Sequence, residues 1–200
     1  MQFGVCTGIE NAGAAANAGF DFVECTVRSL RPEEDEFGPI QAQYAAAPLP
    51  TPVFNVFVPG TIKLTGPQVE WPTVQDYVER SLARVAAVGG RQVVFGSGGA
   101  RRVPEGFPRA EAEEQLVRFL RLTGDAAAAH GITIVIEPLN RRESNIINSV
   151  PEGVELAKRA DHPNIQVLAD LYHMMMDGEP LENVVTCGAW LKHIHVADSG

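Results

Sequence analysis

Ile132-Thr133-Ile134-Val135-Ile136-Glu137 and Ile165-Gln166-Val167-Leu168-Ala169-Asp170 decide the fold. Each is a short, nearly continuous apolar run that ends in a carboxylate, and neither shows strict polar–apolar alternation. Strands buried on both faces read this way, because helices cover both sides of a parallel sheet. Five more runs share the character: Gln2–Thr7, Asp21–Cys25, Pro52–Val58, Gln92–Gly96 and His193–Ala197. Segments of helical period lie between them, at Asn11–Ala18, Ile40–Ala47, Val74–Val88, Ala110–His130, Val150–Arg159 and Glu179–Cys187. Short apolar runs alternating with helical segments are the signature of repeated βα units. Local stops agree: Gly89-Gly90 closes the third helix, and Ser149-Val150-Pro151-Glu152 has the spacing of a capping box.

Two architectures produce that alternation, a doubly wound open sheet and a (β/α)₈ barrel. The first usually carries a glycine-rich phosphate turn after its first strand. Here that turn reads Thr7-Gly8-Ile9-Glu10-Asn11, without G-x-G-x-x-G. Seven βα units therefore predict an α/β (β/α)₈ TIM barrel, residues 1–200 forming a single domain, with strand eight and its flanking helices missing from this 200-residue chain. The expected consequence is an open edge between strands one and seven, covered only if another segment or subunit, as in a homo-oligomer, lies against it.

Composition narrows the partners. Sixteen Lys+Arg against 25 Asp+Glu give a net charge of −9, and no basic run exceeds Arg101-Arg102 or Arg141-Arg142. A field of that sign repels a phosphodiester backbone, which argues against nucleic acid and favours small molecules and metals. No stretch approaches a membrane span. Three scattered cysteines, Cys6, Cys25 and Cys187, form no C-x-x-C pair, and the N-terminus lacks the pattern of a secretory signal, so the cytoplasm is expected.

Barrel enzymes project reactive groups from the C-terminal ends of strands. Those ends carry Glu24, Glu137, Asp170, His173 three residues further on, and His195. An unpaired charge buried there costs several kcal/mol. Glu137, Asp170 and His195 fall on successive strands and are able to converge, as two carboxylates and one imidazole, on a divalent Mn²⁺, Mg²⁺, Co²⁺ or Zn²⁺ ion. The competing reading has the carboxylates capping nearby helix N-termini. His193 shares a strand face with His195, and period two does not separate them. The loop Gly96–Arg102 offers backbone N–H groups and two guanidinium groups to a phosphate or sugar, and Trp71 and Phe107 offer either a sugar face or packing.

Ile136-Glu137-Pro138-Leu139-Asn140-Arg141-Arg142-Glu143, then Leu168-Ala169-Asp170-Leu171-Tyr172-His173-Met174, then His193-Ile194-His195-Val196-Ala197-Asp198 resemble the xylose-isomerase-like TIM-barrel superfamily. More narrowly they resemble its sugar phosphate isomerase/epimerase branch, including ketose 3-epimerases and hydroxypyruvate isomerase. The resemblance implies that Glu137, Asp170 and His195, the second histidine of its pair, are metal ligands, most often for Mn²⁺. It implies that Glu137 is also a catalytic carboxylate, and that Glu143 and His173 bind substrate oxygens. A fourth ligand, a strand-eight Glu that doubles as second base, and a substrate-binding Arg would fall beyond Gly200. The implied reaction is proton abstraction α to the carbonyl of a sugar or sugar phosphate through a metal-stabilised enediolate. A dehydratase of the inosose type and a sugar-binding barrel without turnover are the alternatives; an endonuclease is disfavoured by charge and by too few histidines.

Overall fold

The computed structural model describes residues 1–198. Every predicted strand forms: β1 (Gly4–Cys6), β2 (Phe22–Thr26), β3 (Val53–Asn55), β4 (Gln92–Phe95), β5 (Thr133–Ile136), β6 (Ile165–Asp170) and β7 (Leu191–His195). They make one sheet in the order β1-β2-β3-β4-β5-β6-β7, each pairing parallel to the next. Sequential order without reversal is barrel topology; a doubly wound sheet would reverse direction at a switch point. Among the described residues β1 and β7 are the two edges, and Phe3, Ile194 and Val196 beside them are exposed, as the sequence predicted.

Both faces of the sheet are buried, which explains the unbroken apolar runs. Phe22, Val53, Val94, Val135 and Leu168 form a small inner cluster. Their strand neighbours Val23, Phe54, Val93, Phe95, Ile134, Ile136 and Val167 belong instead to the large outer core beneath the helices. Period two then carries the inward direction along each strand to its C-terminal end: Phe22 to Glu24, Val94 to Gly96, Val135 to Glu137, and Leu168 to Asp170.

The helices are α1 (Ala12–Asn17), α2 (Gly38–Ala45), α3 (Trp71–Ala87), α4 (Gly98–Arg101), α5 (Arg109–Ala128), α6 (Val150–Ala160), α7 (Leu171–Asp177) and α8 (Glu182–Thr186). Ser149 caps α6 as expected, its hydroxyl accepting from the Glu152 N–H, while Glu152 accepts from Asn148 rather than from Ser149 itself.

Several boundaries differ from expectation. Helices α4 and α7 were not predicted; they have four and seven residues, too few for a periodic signal. Helix α3 starts three residues early, at Trp71, because Pro72 fits the first turn, where its missing N–H is no loss. Strand β3 stops at Asn55 because Val56 turns into the left-handed region at φ 49°. Strand β7 is shifted two residues toward the N-terminus of its predicted span by pairing Leu191 with Val167. No helix is long and apolar enough to cross a membrane.

Candidate active site

The C-terminal strand ends meet at the sheet's mouth, around a cavity of about 360 Å³ whose lining includes Cys6, Glu137, Glu143, His173 and His195. His195 is central. Its Nδ1 lies 2.9 Å from Glu137 Oε1 and 3.7 Å from Asp170 Oδ2, and its Nε2 lies 3.0 Å from Glu24 Oε1. His193 reaches the other Glu24 oxygen at 2.9 Å. Both imidazoles thus face inward, as their two-residue spacing requires, and the structure separates them: His195 stands among three carboxylates, His193 beside Glu24 alone.

Asp170 takes the capping role and still turns one oxygen to the site. Its Oδ1 caps α7, accepting from the N–H groups of Tyr172 at 2.8 Å and His173 at 3.3 Å, while Oδ2 turns toward the rings of His195 and His173. One oxygen serves the helix and the other is left for the site.

The electrostatics follow from burial and pairing. Burial pulls the His195 ring toward neutrality, but Asp170, Glu137 and Glu24 outweigh it and push its pKa up to about 12. Burial would raise Glu24, yet the hydrogen bonds from His193 and His195 hold it down at about 2. Asp170 is also held below its ordinary value, burial opposing and His195 and His173 prevailing. The site is a concentration of carboxylate charge with a cation in its centre.

A divalent ion suits that charge. Ligand atoms of Glu137, Asp170 and His195 lie within 4.8 Å of one another, and so do those of Cys6, Glu24 and His195. The first set fits better. Cys6 is exposed, and partial desolvation of its thiol, and then the charge of Glu24, push its pKa up to about 11, so it carries its proton in the metal-free protein. Glu24 is already committed to two imidazoles. Glu137, Asp170 and His195 offer two carboxylate oxygens and an imidazole nitrogen, a mixed set suited to Mn²⁺, Co²⁺, Mg²⁺ or Zn²⁺.

The carboxylate of Glu137 is cradled by Gly96. A Cβ at position 96 would lie 2.2 Å from Glu137 Oε2, closer than any real contact. Gly96→Ala is therefore expected to displace this carboxylate and weaken Mn²⁺ binding about tenfold or more, the scale on which disturbed metal sites lose affinity. Calorimetric titration with Mn²⁺ checks it; unchanged affinity would show that Glu137 tolerates the displacement.

Glu143 and His173 line the same cavity, held by Asn140, a residue that spacing and motif leave without a role. Glu24 stood in the strand-end series, but its link to both histidines needed the fold, since 169 residues separate it from His193.

The suggested sugar or phosphate contact at Arg101 and Arg102 is corrected. Arg101 is fully buried and donates to the carbonyls of Phe95, Glu137 and Ile147, tying the ends of β4 and β5 together. Arg102 donates to the Glu143 carbonyl, and among the described residues no Lys or Arg lines this cavity. Of the two readings of Trp71, packing holds: it lies against the core and beneath the Arg118 guanidinium, 3.9 Å from the ring centroid, and is not among the residues lining this cavity.

Comparison with known proteins agrees with the fold. The family model described as xylose isomerase-like TIM barrel matches residues 12–200. D-Psicose 3-epimerase of Ruminiclostridium cellulolyticum is 34% identical over 86 residues, which are 42% of this chain and only 29% of that relative. A putative hydroxypyruvate isomerase of Streptomyces coelicolor is 27% identical over 208 residues, covering 96% of this chain and 73% of the relative. A solved structure of D-psicose 3-epimerase in the presence of D-fructose superposes with a TM-score of 0.87 at 21% identity, covering 100% of this chain and 74% of that one. The chain belongs to the xylose isomerase-like TIM-barrel family, and sugar epimerases and isomerases are among its relatives.

Proposed function

We propose that this chain carries metal-binding and proton-transfer residues of a divalent-metal-dependent isomerase or epimerase acting on a sugar or sugar phosphate. The observation behind the reading is the convergence of Glu137, Asp170 and His195 at the mouth of a cavity that Glu143 and His173 also line. Glu137, Asp170 and His195 hold the ion, with Mn²⁺ the leading candidate. A divalent cation bound there supplies Lewis-acid polarisation of a carbonyl and offsets the negative charge that proton removal leaves on oxygen.

The residues themselves do the rest. Glu137 is placed to take the proton from the carbon α to the carbonyl, its carboxylate held between Gly96 and His195. Returning that proton to the neighbouring carbon gives isomerisation; delivery to the opposite face of the same carbon, by a second acid, gives epimerisation. Glu143 and His173 hold substrate hydroxyl and carbonyl oxygens, fixing which carbon faces Glu137.

The test uses the full-length protein with Mn²⁺ and a panel of ketoses in D₂O, followed by proton NMR. The expected result is an isomer or epimer of one sugar, with deuterium at the α carbon. Loss of water from a cyclic polyol would replace this reading with a lyase, and metal-independent binding without exchange would replace it with a sugar-binding barrel.

A further inference from the structure

We infer that Asn140 is a positioning residue that fixes the neutral imidazole of His173 as its Nε2–H tautomer, presetting one hydrogen-bond donor beside one acceptor at the cavity. The functional consequence rests on the proposed reading of that cavity as a substrate site; the tautomer does not.

Asn140 is buried at 1% exposure, where each polar atom needs a partner. Its Oδ1 accepts from two backbone N–H groups, Arg142 at 3.0 Å and Glu143 at 3.3 Å. Those two donors pin the amide, because the opposite orientation would point an NH₂ group at them. The Nδ2 group is then directed to Glu143 Oε1 at 2.9 Å and His173 Nδ1 at 2.8 Å. A carboxylate only accepts, which agrees with a donor at Nδ2. The contact to His173 Nδ1 has a donor on the asparagine side, so Nδ1 must present its lone pair. A neutral ring with an unprotonated Nδ1 carries its proton on Nε2.

The Nε2 atom stands 3.8 Å from Asp170 Oδ2, beyond hydrogen-bond reach, which leaves its proton for a ligand. Asn140 therefore sets the polarity of two cavity residues together. His173 presents an N–H donor and Glu143 presents a carboxylate with one oxygen already engaged. The complementary ligand places an accepting oxygen at His173 and a donating hydroxyl at Glu143, as an uncharged hydroxy-carbonyl compound does. An anionic group at Glu143 would meet like charge.

Histidine-selective ¹⁵N labelling of the full-length protein, read by long-range proton–nitrogen correlation without metal or substrate, tests this. The His173 signals are assigned by their loss in His173→Gln. Expected are an unprotonated Nδ1 and a protonated Nε2 in the parent, and a protonated Nδ1 in Asn140→Asp, whose added carboxylate only accepts. A parent ring protonated on Nδ1, or a folded Asn140→Asp variant whose Nδ1 stays unprotonated, overturns the inference. If Asn140→Asp does not fold, the parent spectrum decides alone. Because no turnover is measured, a failure here is distinct from a failure of the proposed reaction.

Discussion

Replacing Glu137 by Gln is expected to lower turnover by about 10²–10⁴-fold, the range that a positioned general base contributes. The substitution preserves the shape of the side chain. A Gln oxygen still accepts from His195 Nδ1, and its NH₂ fits where Gly96 provides no Cβ. What disappears is the basic oxygen, together with one unit of charge at the ion. The two losses are separable: the charge loss weakens Mn²⁺ binding and is recovered by saturating metal, whereas the base loss persists at full occupancy. Deuterium exchange of the α hydrogen in D₂O, measured with saturating Mn²⁺, should fall in parallel with turnover. A variant retaining exchange to within about tenfold of the parent would assign the proton to another group.

The barrel was legible because its strands are buried on two faces, so that Ile132–Ile136 and Ile165–Ala169 are interrupted only by Thr133 and Gln166, both near the strand starts. The candidate ligand set was nominated for a related reason: a charge at the last inward position of such a strand needs a partner at the mouth. Other features lacked a local signal. Helix α7 is set by Asp170 Oδ1 accepting from Tyr172 and His173, a contact that spacing alone left as one of two readings. Arg101 read as a guanidinium contact for a phosphate or sugar because Arg rarely lies fully buried; here three backbone carbonyls replace its water. Even so, burial lowers its pKa to about 10. Asn140 sits in the quoted motif beside Glu143, but its partner His173 is 33 residues away and reaches it only through the packing of adjacent βα loops. Patterns report burial and period; they do not report which side chains share a proton.

Glu24 provides the second large effect, since it stands behind the proposed ion instead of beside it. Its carboxylate accepts from His193 at 2.9 Å and from His195 Nε2 at 3.0 Å, which leaves His195 Nδ1 facing Glu137 and Asp170. A carboxylate behind a ligating imidazole fixes its orientation, and losing it typically costs 10–100-fold in metal affinity. Glu24→Ala is expected to weaken Mn²⁺ binding by about that factor. In the metal-free protein it leaves two part-buried imidazoles short of an acceptor, a loss below the ~3–5 kcal/mol of a fully buried broken pair. The pH dependence has a definite sign. Glu24 is depressed from 4.5 to about 2, so its contribution is complete above 4.5 and fades as pH falls through about 2. His195 is raised from 6.5 to about 12, so its contribution is complete below 6.5 and declines as pH rises toward about 12. The metal-free parent should therefore exceed Glu24→Ala by most between 4.5 and 6.5, and the gap should narrow on either side. Urea unfolding of both proteins from below pH 4.5 to well above pH 6.5 measures it. A gap independent of pH would mean that Glu24 acts by packing alone, and that the His195 ring is oriented by Glu137 and Asp170 without support from behind.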